Sequence, residues 1–227
     1  MNVFLQKRTT ETVDEFLNRL KPTETTVFQG SWIALDDETG KRDCESDSML
    51  LYEDAQQAAR TILSQLESDL KAKDEKRIKT TKIKLREEAT TQLLKTACTF
   101  GQTTGKWLFF YPRDAINEIW AKIARETAAG NLGMSAKVAT SAPGEDLFLI
   151  CVYVPKFYDL KDVRRVFNRL TEIGLNSRSF KMDFFTVLGI DSKNQWGLTP
   201  SIYTATTIMK SETDAKMRAI CAGLVAD

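Results

Sequence analysis

Alternating and helical runs of apolar residues fill the middle of the chain, from Gly105 to Thr186, in the order strand, helix, strand, strand, helix, strand. Lys106 to Tyr111 is an almost continuous aromatic and apolar run, which is typical of a strand covered on both faces. The other predicted strands lie at 134–140, 147–154 and 178–190, the last being one strand or two with a bend at Gly189. The intervening helices are predicted to end near Ala128 and to begin after Asp159. This order is that of a split βαβ arrangement.

The flanks of this central part carry further elements of both kinds. The predicted flanking elements are helices at 11–20, 49–70 and 211–225, strands at 27–35 and 202–208, and a loop at 192–197. Thr10 is the predicted cap of the first helix. Because no linker is long enough to divide the chain, the sequence predicts one α+β domain at 1–227 with its core at about 26–208.

A basic segment from Lys71 to Arg86 is the main departure from an even charge distribution. It holds eight Lys and Arg residues against Asp74 and Glu75. Its pattern favours helix, loop, helix, although Thr80 to Leu85 alternates and fits a short strand equally well. The segment is suited to phosphate contacts, and a solvated helix face is the commoner role of such a run.

Composition excludes several kinds of site. The chain has 227 residues, a net charge of +1 and no histidine, which removes Ser-His-Asp triads, imidazole bases and His-containing metal sites. Its cysteines, Cys44, Cys98, Cys151 and Cys221, are widely spaced, which favours buried thiols in a reducing compartment over a disulfide framework. No apolar run approaches the roughly 18 residues of a membrane helix, so we expect a cytoplasmic or nuclear protein without a membrane partner.

Tryptophans and basic residues are the candidates for binding. Trp107 and Trp120 lie in apolar patterns and are predicted to be core, and Trp32 is also more consistent with core than with ligand. Trp196 lies in a polar loop, where a binding role is as reasonable as a structural one. The predicted strand at 178–190 places Lys181 and Asp183 on one face, so they either form a surface pair or line a site together.

Several segments resemble a known family. Gly105-Lys106-Trp107-Leu108, followed by Ile119-Trp120, resembles the translation initiation factor 4E fold. A closer resemblance, to the basophilic leukaemia-expressed protein family of the same 4E-like fold, includes Lys181-Met182-Asp183 and the run from Trp196 to Tyr203. The resemblance spans roughly 26–203 and implies a curved antiparallel sheet, with helices on its convex face and a ligand groove on its concave face.

The resemblance implies the fold more directly than it implies cap binding. Cap-binding relatives hold a methylated guanine between two loop tryptophans, whereas the loop before Gly105 has none. The basic pair that holds the cap phosphates falls near Thr140 and Asp146, and the dorsal tryptophan that grips partner peptides falls near Gln56.

These observations predict a binding protein that is not an enzyme and needs no cofactor or metal. In the first hypothesis, RNA or a nucleotide lies in the concave groove, where Trp196 or Tyr203 stacks on a base. Phosphates would then meet Lys137, Arg178 and Lys181, and Asp183 is a further candidate for the ligand site. The alternative is a protein-interaction module that keeps the fold and has lost the ligand.

Overall fold

A computed structural model of the chain describes residues 3–40, 49–72, 78–176 and 179–222. These residues form seven strands and seven helices, which confirms the mixed α+β class. The strands are β1 (Phe4–Gln6), β2 (Trp32–Asp36), β3 (Gly105–Pro112), β4 (Ser135–Ala139), β5 (Leu147–Val154), β6 (Ser179–Met182) and β7 (Tyr203–Thr204). The helices are α1 (Val13–Arg19), α2 (Met49–Ala72), α3 (Ile78–Thr99), α4 (Ile116–Ala128), α5 (Leu160–Glu172), α6 (Asp183–Val187) and α7 (Ser211–Ile220).

The strands form a sheet of order β1-β2-β4-β5-β3-β6-β7. The chain also divides into two compact units. The first unit holds 1–44, 106–155 and 161–180, and the second holds 45–105, 156–160 and 181–227.

Strand pairing defines the core of the first unit. β1 runs parallel to β2, whereas β2, β4 and β5 are mutually antiparallel. Ile33 is opposite Val138, which is opposite Ile150, and all three are fully buried. Because residues opposite each other in antiparallel strands point to the same face, these three mark the core face. Helix α4 packs on β2 and β4 and buries Trp120 completely, as its sequence pattern predicts.

The N-cap of helix α1 lies two residues later than predicted. Thr12, rather than Thr10, is the N-cap, and its hydroxyl accepts a hydrogen bond from the Glu15 backbone N–H at 3.2 Å. The Glu15 carboxylate in turn accepts one from the Thr12 backbone N–H at 2.8 Å. Thr12 is followed three residues later by a glutamate, the spacing of a capping box, and Thr10 is followed at that spacing by Val13.

Helices α2 and α3 pack against each other in the second unit. Their buried stripes repeat every four residues or so, through Ala55, Ala59, Leu63 and Leu66 on α2 and Ala89, Leu93 and Ala97 on α3. Residues 80–85 belong to α3, so the strand alternative for this part of the basic segment is wrong. The part of the basic segment between α2 and α3, residues 73–77, lies outside the described residues.

The predicted strand at 178–190 is only four residues long. It ends at Met182, and α6 begins at Asp183, so Lys181 and Asp183 do not share a strand face as predicted. The adjacent Phe184 and Phe185 are both buried, at 2% and 0% exposure. A strand would send neighbours to opposite faces, whereas a helical turn buries both on one side.

The predicted last strand is similarly short. Only Tyr203 and Thr204 form β7, because Thr204 and Thr207 then fold the chain into a turn. The Thr204 backbone N–H donates to the Thr207 hydroxyl at 2.8 Å, and the Thr207 backbone N–H donates to the Thr204 hydroxyl at 3.1 Å. Threonine hydroxyls compete in this way with the backbone pairing of a sheet.

Two of the cysteines correct the expectation of reduced thiols. Cys98 and Cys221 form a disulfide between the end of α3 and the end of α7, with their Cα atoms 6.1 Å apart. They are 123 positions apart in sequence, so no local spacing reveals the pair. Cys151 is buried in β5, as predicted.

Candidate functional site

Lys137 lies among aromatic rings of the first unit. Its ammonium nitrogen is 4.2 Å from the ring centroid of Trp32, 5.3 Å from that of Phe4 and 5.4 Å from that of Tyr153. The negative faces of these rings attract the charge, which holds the side chain against β1, β2 and β5. Lys137 is thus fixed within this unit.

Tyr203 is a supporting residue rather than an open platform. Only 1% of it is exposed, and its hydroxyl donates a hydrogen bond to the Phe157 carbonyl oxygen at 2.9 Å. A base that stacks needs an exposed ring face, which this burial does not leave.

Trp196 lies beside α2. It is half-buried and lines a cavity of about 400 Å³ with residues that include Leu63 and Leu188. Its indole N–H is buried and has no hydrogen-bond partner among the described residues. Its backbone carbonyl oxygen accepts a hydrogen bond from Nε of Arg86 on α3 at 2.8 Å.

Lys181 and Asp183 are further predicted site residues, and both belong to the second unit. Lys181 is half-buried in β6, and Asp183 lines a cavity of about 230 Å³ with Tyr52 and Gln102. Arg178 lies outside the described residues. Among the described residues of the second unit, Tyr203, Trp196 and Asp183 line three different cavities.

A groove in the second unit lies between α3 and α7 and is here called the α3–α7 groove. Its volume is about 580 Å³. Helix α3 contributes Ile83, Arg86, Glu87, Thr90 and Leu94, and helix α7 contributes Glu212, Thr213, Lys216 and Met217. The connecting chain contributes Gly197, Thr199, Ser201, Ile202, Thr207 and Lys210, together with Tyr203. The α3 residues recur at three- and four-residue intervals, so they form one face of the helix.

The groove has an apolar floor and a charged, hydroxyl-rich rim. Leu94, Tyr203 and Met217 form the floor and are 1–3% exposed. Lys210 and Lys216 are exposed on the rim, and no described residue forms an ion pair with either. The acidic rim residues are Glu87 and Glu212, so the rim carries charges of both signs.

Arg86 is held in place by the turn at Gly197. Gly197 has φ of +65°, and a Cβ atom built there would be 2.7 Å from Nη2 of Arg86. Only glycine accepts both that backbone conformation and so close a neighbour. With Nε bonded to Trp196, neither Nη atom of Arg86 has a hydrogen-bond acceptor among the described residues.

Threonine and serine hydroxyls also border the groove. Thr213 donates to the Thr207 carbonyl oxygen at 2.6 Å, and Thr90 donates to the Arg86 carbonyl oxygen at 2.8 Å. The hydroxyls of Thr199 and Ser201 make no hydrogen bond to the described residues. The rim therefore offers donors from two hydroxyls, two ammonium groups and one guanidinium.

Residues 2–189 match the family of basophilic leukemia-expressed protein Bles03. The chain belongs to this family. The match confirms the resemblance inferred from the sequence, and it includes the α3 wall of the groove. The Bles03 match ends before Trp196. Helix α7 and the chain from Trp196 to α7 therefore lie outside the matched residues.

The sequence indicated only a few of the groove residues. Arg86 ends the basic segment, and Tyr203 was a predicted stacking residue. Lys210 and Lys216 were not identified, because neither belongs to a motif. The available signal was the density of Ser and Thr residues between Thr199 and Thr213.

In the described part of the chain, no group of three or more Cys, Asp or Glu residues is placed to hold a metal ion. No helix described here is long and apolar enough to cross a membrane.

Proposed function

We propose that this Bles03-family protein is a non-enzymatic binding protein whose α3–α7 groove holds the phosphate groups of RNA or of a nucleotide. The observation that carries the proposal is the convergence of Arg86, Lys210 and Lys216 on one groove of the second unit. Phosphate oxygens accept strong, charge-assisted hydrogen bonds from guanidinium and ammonium groups. The hydroxyls of Thr199 and Ser201 supply further donors to the same oxygens.

The apolar residues of the groove suit the base of such a ligand. Ile83 is 54% exposed on α3 and Ile202 is half-buried, so both offer aliphatic surface within the groove. Tyr203 supports this surface from the floor in place of stacking on the base.

The acidic rim residues restrict what can bind. Glu87 and Glu212 repel a second phosphate that approaches them, and they accept hydrogen bonds from ribose hydroxyls or base amino groups. With three cations and two carboxylates the groove is only slightly positive, so we expect modest affinity with marked salt dependence.

The 4E-like fold is part of this proposal. The antiparallel pairing of β2, β4 and β5, with α4 packed on β2 and β4, supports it. The ligand groove proposed here lies in the second unit and uses none of the positions of a cap sandwich.

A titration with paired variants tests the function. Fluorescence anisotropy of a short fluorescein-labelled oligouridylate, at low salt, measures binding to the wild-type protein and to Lys210→Gln/Lys216→Gln. The matched control is Lys95→Gln, which removes an exposed charge from α3 outside the groove. We expect the double variant to bind about tenfold or more weakly, since each lost contact to a charged group costs about 1–2 kcal/mol at an exposed site, and the control to bind like wild type.

Two outcomes would contradict the proposal. Equal loss in the control and the double variant would mean that general charge, and not the groove, causes binding. Absence of binding to oligouridylate, ATP and GTP at low salt would refute the proposed function and leave the protein-interaction hypothesis as the alternative.

A further inference from the structure

The disulfide between Cys98 and Cys221 lies at one end of the α3–α7 groove. On α3, Leu94 lines the groove and Cys98 follows one helical turn later. On α7, Met217 lines the groove and Cys221 again follows one turn later. The facing sides of the two helices therefore continue from the groove directly to the covalent link.

The spacing along both helices makes this link the fixed end of the groove. Arg86 precedes Cys98 by twelve residues, and Lys210 precedes Cys221 by eleven. At 1.5 Å per residue, Arg86 and Lys210 lie about 16–18 Å along the chain from the disulfide, whereas Lys216, five residues before Cys221, lies about 7–8 Å from it. The link therefore joins the two walls at the end away from Arg86 and Lys210.

Helix α7 is short and buries few of its described side chains. It is ten residues long, and isolated helices of that length are marginal in water. Its buried side chains are Met217 and Ile220, and the adjoining Cys221 is also buried. The disulfide is thus a large part of what keeps this wall against α3.

Position also makes the bond accessible to reduction. Both sulfur-bearing residues are buried, Cys98 at 7% and Cys221 at 2% exposure. Cys221 is, however, the C-cap of α7, and helix ends open locally at low free-energy cost. Opening of this last turn exposes the S–S bond to an attacking thiolate.

We propose that reversible reduction of the Cys98–Cys221 disulfide controls ligand binding in the α3–α7 groove, with the oxidised form competent to bind. This inference rests on the proposed function of that groove. The co-reactant is a dithiol, whose two thiols lose two electrons and two protons and become a disulfide. The Cys98–Cys221 bond breaks, and each sulfur takes up one proton.

Reduction is expected to act on the α7 wall and, through it, on the rim. Without the link, α7 samples undocked conformations, and Lys216 and Met217 leave the groove together. The α3 wall is longer and packed against α2, so it stays in place.

Hydrogen exchange of the full chain tests the clamp without any ligand. Mass spectrometry first locates the linked peptide in non-reduced protein, and amide exchange is then compared before and after treatment with a dithiol. We expect exchange in 211–220 to accelerate at least about tenfold on reduction, because the opening free energy of α7 falls. Exchange in the α2–α3 pair is the internal reference.

Variants separate the disulfide from other effects of the reductant. Cys221→Ser is expected to show the amide exchange of reduced wild type, and the dithiol is expected not to change it. Cys151→Ser leaves the link intact, so its α7 exchange is expected to accelerate with the dithiol as in wild type. If either variant fails to fold, the comparison of oxidised and reduced wild-type protein still decides the result.

Binding of the same short fluorescein-labelled oligouridylate, measured in both redox forms, tests the control. We expect about fivefold or greater weakening on reduction, which corresponds to about 1 kcal/mol. Equal affinity in the two forms overturns the inference, as does unchanged α7 exchange or absence of the linked peptide after mild oxidation. If the oligouridylate binds neither form, the proposed function fails, while α7 exchange still reports whether the clamp exists.

Discussion

Replacing Gly197 with alanine tests the contact that holds Arg86 at the groove. Gly197 has φ of +65°, and its added Cβ would lie 2.7 Å from Nη2 and 2.9 Å from Cζ of Arg86. The guanidinium must move, and it loses its 2.8 Å hydrogen bond to the Trp196 carbonyl oxygen. Gly189 is the matched control, because it has φ of +70° and nothing within 4 Å of the corresponding Cβ position.

The two substitutions share one cost and differ in the other. Alanine in the left-handed region costs about 1 kcal/mol at either site. Loss of the partly buried bond from Arg86 adds about 1–2 kcal/mol at Gly197 alone. We therefore expect destabilisation of about 2–3 kcal/mol for Gly197→Ala and about 1 kcal/mol for Gly189→Ala.

Urea denaturation of wild type and both variants measures the unfolding free energies, and equal m-values are expected for all three proteins. A double-mutant cycle with Arg86→Gln assigns the excess: in that background, Gly197→Ala is expected to cost no more than Gly189→Ala. Equal destabilisation of the two glycine variants in the wild-type background would show that the Arg86 contact contributes nothing.

Two further predictions concern the N-terminal helix. Thr12→Ala is expected to lower the free energy of unfolding by about 1 kcal/mol, because it removes the side-chain half of the capping box, whereas Thr10→Ala is expected to leave it nearly unchanged; the reverse order in thermal or urea unfolding would contradict the capping assignment. The Arg19 guanidinium, bonded to the Glu11 carboxylate, lowers the pKa of Glu11 from 4.5 to about 2. Since the pKa of Glu11 is lower in the folded state, the pair stabilises the protein above pH 4.5, and this contribution is lost as the pH falls towards 2. The prediction is refuted if the unfolding free energies of wild type and Glu11→Gln differ by the same amount across this pH range.

The elements with strong periodicity were predictable from the sequence. Strand β5 has the bounds 147–154 that its apolar run predicts, and α4 ends at Ala128 as expected. Gly130 and Gly174 both have positive φ after helices, where glycine in the sequence is typical of the position beyond the last turn. These features depend on local pattern, which the sequence carries directly.

Features set by contacts distant in sequence were not predictable. The pairing of Cys98 with Cys221 depends on the meeting of α3 and α7, and neither cysteine has a neighbouring motif. Asp183 was assigned to a strand because the apolar run continues past it, yet the burial of Phe184 and Phe185 together favours a helical turn. The sequence indicates that residues are apolar without indicating which neighbours cover them.

The candidate site was predicted in its chemistry and not in its members. Basic side chains and a stacking aromatic ring were expected, and the structure places Arg86 and a buried Tyr203 at the groove. Lys137 and Trp196, which the sequence made prominent, lie against other partners. Exposure of a side chain and convergence of several are properties of the fold, and no single position encodes them.

The salt dependence of RNA binding is the most direct test of phosphate binding in the α3–α7 groove. Affinities of wild-type protein and Lys210→Gln/Lys216→Gln for oligouridylate are measured over a series of salt concentrations, with Lys95→Gln as control. If both groove lysines contact phosphates, the slope of log affinity against log salt is smaller in magnitude by about 1.4 for the double variant, since each contact to a single strand contributes about 0.7. A slope identical to that of wild type would contradict phosphate binding in the α3–α7 groove.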